Sequence, residues 1–285
     1  MNKNRVVLFL LSAGLLDVLL WGIIFFGGPV GRPELYFLDV GQGDSELVVL
    51  PGGVKMLIDG GPTNNILRSL DRALPTTSRY IDLVMLSHAQ TDHMEGLIEV
   101  FQRYGVGAFL WNGRAGMSKS FEDVGKAVRE SGTRVVVLGR GDVIRIGESR
   151  FDILSPAPDL LGSDELNDTT LVTRLTHPDI RVLFTGDIGV NVEDRIIADY
   201  GYFLVDVLKI PHHGSRFSSS EGFLRALKPR IAVIEVGAKN TYHHPTEEVL
   251  GRLRDMGIKT FRTDRDGTIK IAVENGRLDI SKTGK

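Results

Sequence analysis

The sequence predicts an α/β protein: two β-sheets with helices packed outside them, preceded by one N-terminal transmembrane helix. Three observations carry this reading. Short apolar or alternating runs recur from residue 35 to residue 273 with single helical stretches between them, the pattern of layered sheets and helices. Residues 6–26, VVLFLLSAGLLDVLLWGIIFF, make a 21-residue apolar run broken by one charge. No internal repeat, low-complexity tract or Pro/Gly/Ser-rich linker divides the chain beyond that run.

The apolar run would rise roughly 31 Å as a helix, enough to cross the hydrocarbon core of a bilayer. Lys3 and Arg5 precede it, which predicts a cytoplasmic start and an extracytoplasmic body. A cleaved signal peptide is the alternative, although the run exceeds the apolar core of about 7–15 residues that such peptides carry. Asp17 near mid-span would be neutralised, pair with another helix, or be outweighed by its apolar neighbours. The predicted division is therefore 1–31, a short cytoplasmic start and anchor, and 32–285, the functional domain.

Beyond the anchor, Leu35–Val40, Ser45–Leu50 and Lys55–Ile58 read as three consecutive, mostly antiparallel strands joined at the Gly41–Gln42–Gly43 and Pro51–Gly52–Gly53 turns. Ile81–Leu86 is a continuous apolar run, the mark of a buried strand. Leu97, Val100, Phe101 and Tyr104 then recur at helical spacing. Ten further strands come after it, among them Arg181–Thr185, Val205–Ile210 and Ile231–Val236. Helices are expected at Asn65–Leu74, Phe121–Glu130, Glu193–Tyr200, Glu221–Leu227 and Thr246–Met256. His177 falls in a predicted hairpin turn and is expected to be exposed.

Composition narrows the chemistry. Hydrophobic residues at 42% and charged residues at 25% exclude a disordered or collagen-like chain, and one apolar run excludes a multi-span protein over this length. A net charge of −2 advertises no general nucleic-acid field, so a polyanion must be held by local features. With no cysteine there is no disulfide, thiolate nucleophile or Cys-type zinc site. Any metal must be held by His and carboxylates.

Six of the seven histidines fall in three short segments: His88 and His93 in SHAQTDH, His212 and His213 in IPHHGS, His243 and His244 in TYHHP. Each segment lies just past the end of a predicted buried strand, as do Asp59 in LIDGG and Asp187 in FTGD. Ligands at strand ends converge on one rim, where the scaffold holds them closely. The His-x3-Asp-His spacing of His88, Asp92 and His93 puts three donors in one turn, a set suited to Zn²⁺, Mn²⁺ or Fe²⁺. A shared metal site is expected.

The segments LDVGQGDS (38–45), LIDGG (57–61), SHAQTDHMEGL (87–97), LNDTTLV (166–172), LFTGD (183–187), LKIPHHGS (208–215) and VGAKNTYHHP (236–245) resemble, in order, the metallo-β-lactamase-fold domain at the C-terminal end of the ComEC/Rec2 DNA-uptake (competence) proteins. The resemblance implies an αββα sandwich with the metal at the sheet edges. It also implies a metal-dependent hydrolase acting as a nuclease or phosphodiesterase on DNA; the apolar run makes it membrane-anchored, and the ligand types suit attack by a metal-bound hydroxide. DNA-uptake channel proteins are the partners it suggests, and the chain alone is not expected to form a channel. Two alternatives remain open: a hydrolase of another ester, lactone or β-lactam bond, and a catalytically weak partner subunit.

Carried across residue by residue, the resemblance assigns His88, Asp92, His93, Asp187, His213 and His244 to one or two Zn or Mn ions, with Asp92 and Asp187 also orienting the attacking water. Gln90 stands where the family has Asp, and Asn167 lies near the place of another His. One metal position is thereby depleted and the other kept. Asp59 is expected to be structural. Asp39, Gln42 and Asp44 could line the site or merely form a glycine turn. His212 and His243 are expected around the ligands or facing substrate. Lys209 and Asn240 are candidates for phosphate or substrate contact, with Arg216 and Lys239 as further basic flanks.

Overall fold

Two sheets lie face to face, with helices on both outer faces. The computed structural model describes residues 3–26, 31–274 and 276–284. The first sheet begins with β1 (Glu34–Phe37), β2 (Glu46–Val49), β3 (Lys55–Ile58), β4 (Tyr80–Met85), β5 (Gly105–Trp111) and β6 (Arg134–Val137). The second takes β7 (Val143–Ile146), β8 (Ser149–Ser155), β9 (Val172–His177), β10 (Ile180–Phe184), β11 (Val207–Lys209), β12 (Ile231–Ile234) and β13 (Lys259–Arg262). The chain then returns to the first sheet with β14 (Ile269–Glu274) and β15 (Arg277–Lys282), giving the orders β15-β14-β1-β2-β3-β4-β5-β6 and β13-β12-β11-β10-β9-β8-β7.

The strands β1, β2 and β3 pair antiparallel, as their tight glycine turns require, whereas β3 to β6 and β10 to β13 are parallel and need crossovers. Helices supply most of these: α2 (Asn65–Ala73), α3 (Thr91–Arg103) and α4 (Lys119–Ser131) over the first sheet, α5 (Val190–Tyr200), α6 (Glu221–Leu227) and α7 (Glu247–Asp255) over the second. Calling the N-terminal helix Lys3–Phe26 α1, these run α1 to α7, with a single turn, α8, at Thr263–Asp266. Local signals set the ends: Ser118 Oγ accepts from Phe121 N at 3.2 Å at the start of α4, and Gly132, with φ 67°, ends it.

Strand alternation divides the core into three layers. Val48, Met56, Phe151, Val182, Val207 and Val233 point between the sheets, where the rings of Phe37 and Phe184 meet at 6.4 Å. Their neighbours Leu47, Leu57 and Ile81 point outward onto Leu70, Leu97 and Val128 of the first helical layer. Leu183, Leu208 and Ala232 pack on Ile196, Phe223 and Leu253 of the second. Each fully buried Leu, Ile or Phe contributes roughly 1.5–3 kcal/mol. This is the αββα sandwich that the sequence predicts.

The helix α1 is long and apolar enough to cross a membrane, and none of its spanning window is buried against other described residues. Two expectations need correction. His177 is the last residue of β9, paired with Ile180 of β10, and is buried; its Nδ1 accepts from Asp179 N at 3.2 Å and closes the turn. The helix read from Leu97 onward starts at Thr91, so that Asp92 and His93 lie in its first turn.

Candidate metal centre

The parallel strands of both sheets end at one rim. Asp59 follows β3, Ser87 and His88 follow β4, Asp187 follows β10, the His212–His213 turn follows β11 and Glu235 follows β12. One donor atom from each of Asp92, His93, Asp187 and His213 lies within 4.8 Å of all the others. His93 Nε2 and His213 Nε2 each stand 3.4 Å from Asp187 Oδ2, and His213 Nε2 is 3.4 Å from Asp92 Oδ2.

The remaining ring atoms are tied down. His93 Nδ1 is 2.7 Å from Asp59 Oδ2, and Asp59 also accepts from Ser87 N at 2.7 Å and Ser87 Oγ at 2.6 Å. Asp59, with φ 56°, thus braces the His93 ring and the His88 loop together. His213 Nδ1 bonds Glu235 O at 2.8 Å, so its Nε2 is turned to the cluster. His212, His213 and Gly214 hold consecutive positive φ of 51°, 53° and 83°, a conformation non-glycine residues adopt reluctantly. Bonds from His212 N to Gly186 O and from Thr246 N to Gly214 O hold this turn.

Burial alone would push His93 and His213 down, yet Asp187 and Asp59 outweigh it for His93, and Asp187 and Asp44 for His213. His93 is held well above its ordinary value and His213 at about 10. Burial raises Asp187, but His213 and His93 outweigh it and keep the carboxyl well below the usual range. The cluster is therefore a well for positive charge. His93 Nε2 and Asp187 Oδ1 are buried without a hydrogen-bond partner, and the donor set is two imidazoles and two carboxylates. These residues fit a divalent ion, which would replace the protons on the two rings.

The other sequence-predicted residues lie around this cluster. His88 is buried, pushed down to about 3 by burial and then by His93, and its Nε2 has no hydrogen-bond partner. Its ring lies 4.2 Å from that of His93, but it is outside the four-donor cluster. Gln90 Nε2 donates to Asn167 Oδ1 at 2.6 Å, and Asn167 Nδ2 reaches His212 Nδ1 at 3.5 Å. One bond thus joins the two amides, and Asn167 in turn aims His212, whose Nε2 is 3.9 Å from Asp187 Oδ2.

His244 is not brought into the four-donor cluster. Its ring stands 5.8 Å from that of His212, half-buried and one layer further out. His243, with φ 57°, is exposed. Asn240 spends its amide on its own loop, accepting from His244 N and donating to the carbonyls of His244 and Gly237 at 2.9 Å each. It holds His244 and does not reach outward. Gln42 Oε1 accepts from Gly237 N at 3.0 Å, joining the glycine turn to that loop, and Asp39 is bonded through its backbone to Thr268 and Ser69.

Gly43 lets the turn approach the ligand helix, where Asp44 N donates to Asp92 O at 3.3 Å. A Cβ on Gly43 would stand 2.1 Å from Asp92 O and 2.9 Å from Pro62 Cδ, at a φ of +152°. Gly43→Ala is therefore expected to destabilise the fold by about 2–4 kcal/mol. Chemical denaturation, with metal content measured on the folded fraction, checks this.

Lys209 is fully buried, which removes it from phosphate contact. Its Nζ pairs with Asp44 Oδ2, donates to Gly186 O at 3.0 Å and lies 3.7 Å from Asp187 Oδ1. Asp44, Glu46 and Glu235 form a second buried group behind it. Burial and then Asp44 push Glu235 up to about 8, while burial and then Glu235 hold Glu46 well above its ordinary value. Residue-by-residue reading missed Glu46 and Glu235. Strand parity was the available signal: Glu46 shares a face with Val48, Lys209 with Val207 and Glu235 with Val233, all pointing between the sheets.

The layering and the strand-end His/Asp cluster together define a metallo-β-lactamase-fold protein. Residues 55–261 match the family model of the beta-lactamase superfamily domain, and the chain belongs to that family. It is similar to ComE operon protein 3 of Bacillus subtilis (strain 168), at 29% identity over 96% of this chain and 37% of the relative. Similarity to Competence protein ComA of Neisseria gonorrhoeae is 31% over 92% of this chain and 37% of the relative. The chain thus spans little more than a third of the length of these relatives. Among solved structures, the metallo-beta-lactamase fold protein YhfI from Bacillus subtilis shares the fold, with a TM-score of 0.54 at 14% identity over 81% of this chain and 96% of that one.

Proposed function

We propose that residues 32–285 form a metal-dependent phosphodiesterase acting on DNA, held at the outer face of a cell membrane by the anchor in residues 1–31, in the service of DNA uptake. The observation that carries the metal-dependent part is the convergence of Asp92, His93, Asp187 and His213 within 4.8 Å. The likeness to competence proteins supports DNA as substrate and channel-forming segments as partners. Zn²⁺ or Mn²⁺ suits the donor set. When bound, the ion supplies Lewis acidity toward water and toward a phosphoryl oxygen.

The chain's own residues supply the rest. Asp92 is the most exposed of the four, and although burial raises its carboxyl, His93 and His213 outweigh this and hold it ionised. It can therefore accept a hydrogen bond from the attacking water. Asp187 keeps one oxygen toward the two histidines while Lys209 stands by the other. Burial, chiefly, lowers His212, so its imidazole is neutral. With Asn167 at Nδ1, it presents Nε2–H at the mouth, where it can donate to a leaving oxygen.

The test is metal content and cleavage of single- and double-stranded DNA by the full chain in detergent micelles with Mn²⁺, Zn²⁺, Mg²⁺ or EDTA. Cutting is expected with metal, absent in EDTA, and lost in His93→Ala and Asp187→Ala together with the ion. Bound metal without cutting would move the reading to another ester, lactone or β-lactam bond. Neither metal nor cutting would leave a catalytically weak partner subunit.

A further inference from the structure

A row of rings leads outward from the metal centre. His213 is buried among the ligands, the His212 ring lies 6.3 Å from it, the His244 ring 5.8 Å beyond, and Tyr242 stacks on His244 at 5.9 Å with the planes 20° apart. Exposure rises along the row, from 2% for His213 to 66% for Tyr242. The inner face of the Tyr242 ring is therefore taken by His244, while much of the ring is open to solvent. Its support is fixed: Asn240 holds His244 by two backbone bonds, and Pro245 packs against Gly214, where an added Cβ would meet it at 2.5 Å.

Charge of the right sign stands beside the row. Arg216 is exposed, three residues past His213 in the same loop, and its guanidinium lies 5.4 Å from the Phe217 ring. Phe217 is itself 69% exposed, two residues past Ser215 in the same loop as His213. Two open rings and a cation thus border the centre, in a protein whose net charge is only −2. Paired, stacked bases offer no free face to such rings, whereas an unpaired base does, whatever its identity.

We propose that Tyr242 is a stacking platform for an unpaired base of the substrate strand, with Arg216 on the adjoining phosphate, so that the centre takes single-stranded nucleic acid in preference to duplex. This rests on the phosphodiesterase reading of the same centre and adds its substrate form. The platform seats the base while the phosphate beside it reaches His212 and the ligand cluster. Preference for a strand then comes from ring stacking, with no base-edge reading.

The test is binding by the full, metal-loaded chain, read as fluorescence anisotropy. The probes are a labelled thymidine oligonucleotide with a phosphorothioate backbone to slow cleavage, the same backbone with abasic sugars, and the corresponding duplex. The wild type is expected to bind the base-bearing strand about tenfold tighter than the abasic one. Tyr242→Ala should remove that ratio and leave abasic affinity unchanged, Tyr242→Phe should keep it, and Arg216→Ala should weaken both strands alike. A ratio near one in the wild type, or one that survives in Tyr242→Ala, would overturn the platform. Cleavage of the same strand with an ordinary phosphodiester backbone, by the same protein samples, separates the two readings. Cutting without a Tyr242-dependent ratio leaves the phosphodiesterase and removes the platform, and a Tyr242-dependent ratio without cutting does the reverse.

Discussion

Replacing Lys209 with methionine is expected to destabilise the chain by about 3–5 kcal/mol, the cost of leaving buried carboxylates without their counter-ion. The ammonium is fully buried, paired with Asp44 and close to Asp187, and its own titration is raised because those carboxylates, with Glu46 and Glu235, outweigh the effect of burial. Methionine matches the length of the side chain, so the loss reports charge more than volume. The measurement is the urea midpoint of wild type and variant in EDTA. A shift below about 1 kcal/mol would mean that the carboxylates rearrange or protonate at little cost. Saturating divalent ion should recover part of the loss, because it neutralises Asp187 and binds only the folded state.

That prediction depends on a group that single-residue reading places wrongly. A lysine in LKIPHH reads as a surface charge because the anion that pairs with it, Asp44, comes from the distant glycine turn before β2. The fold class and the rim of donors were legible because they rest on local signals. Apolar strands end in Gly, Asp or His, and each such end is visible in a short window. The register of one sheet over the other is not local, and it decides which late histidine joins Asp92, namely His213, while His244 stays outside the cluster. The strand β15 escaped notice for another reason: RLDISK is an edge strand with alternating, mostly exposed side chains, and it lacks the apolar run that marks its neighbours. The start of α3 was hidden because its first turn carries ligands in place of apolar residues.

On the proposed phosphodiesterase reading, Gln90→Asp is expected to add up to one metal ion per chain and to raise DNA cleavage about tenfold, the scale on which changes around a metal site act. His88 Nε2 is buried, neutral and without a hydrogen-bond partner, as one imidazole donor of a second position would be. What that position lacks is charge. Gln90 and Asn167 are neutral amides whose polar atoms are turned on each other at 2.6 Å, so neither offers an anionic oxygen to an ion beside His88. An aspartate at 90 cannot donate to Asn167 Oδ1, so the amide must turn its nitrogen to the new carboxylate. That releases His212 Nδ1. Elemental analysis of both proteins after equal metal loading checks the count, and cleavage rates check its effect. If Gln90→Asp binds no added ion and cuts no faster, the amide pair is not an impaired ligand set. Its role is then to aim His212 at the mouth of a centre built for a single ion.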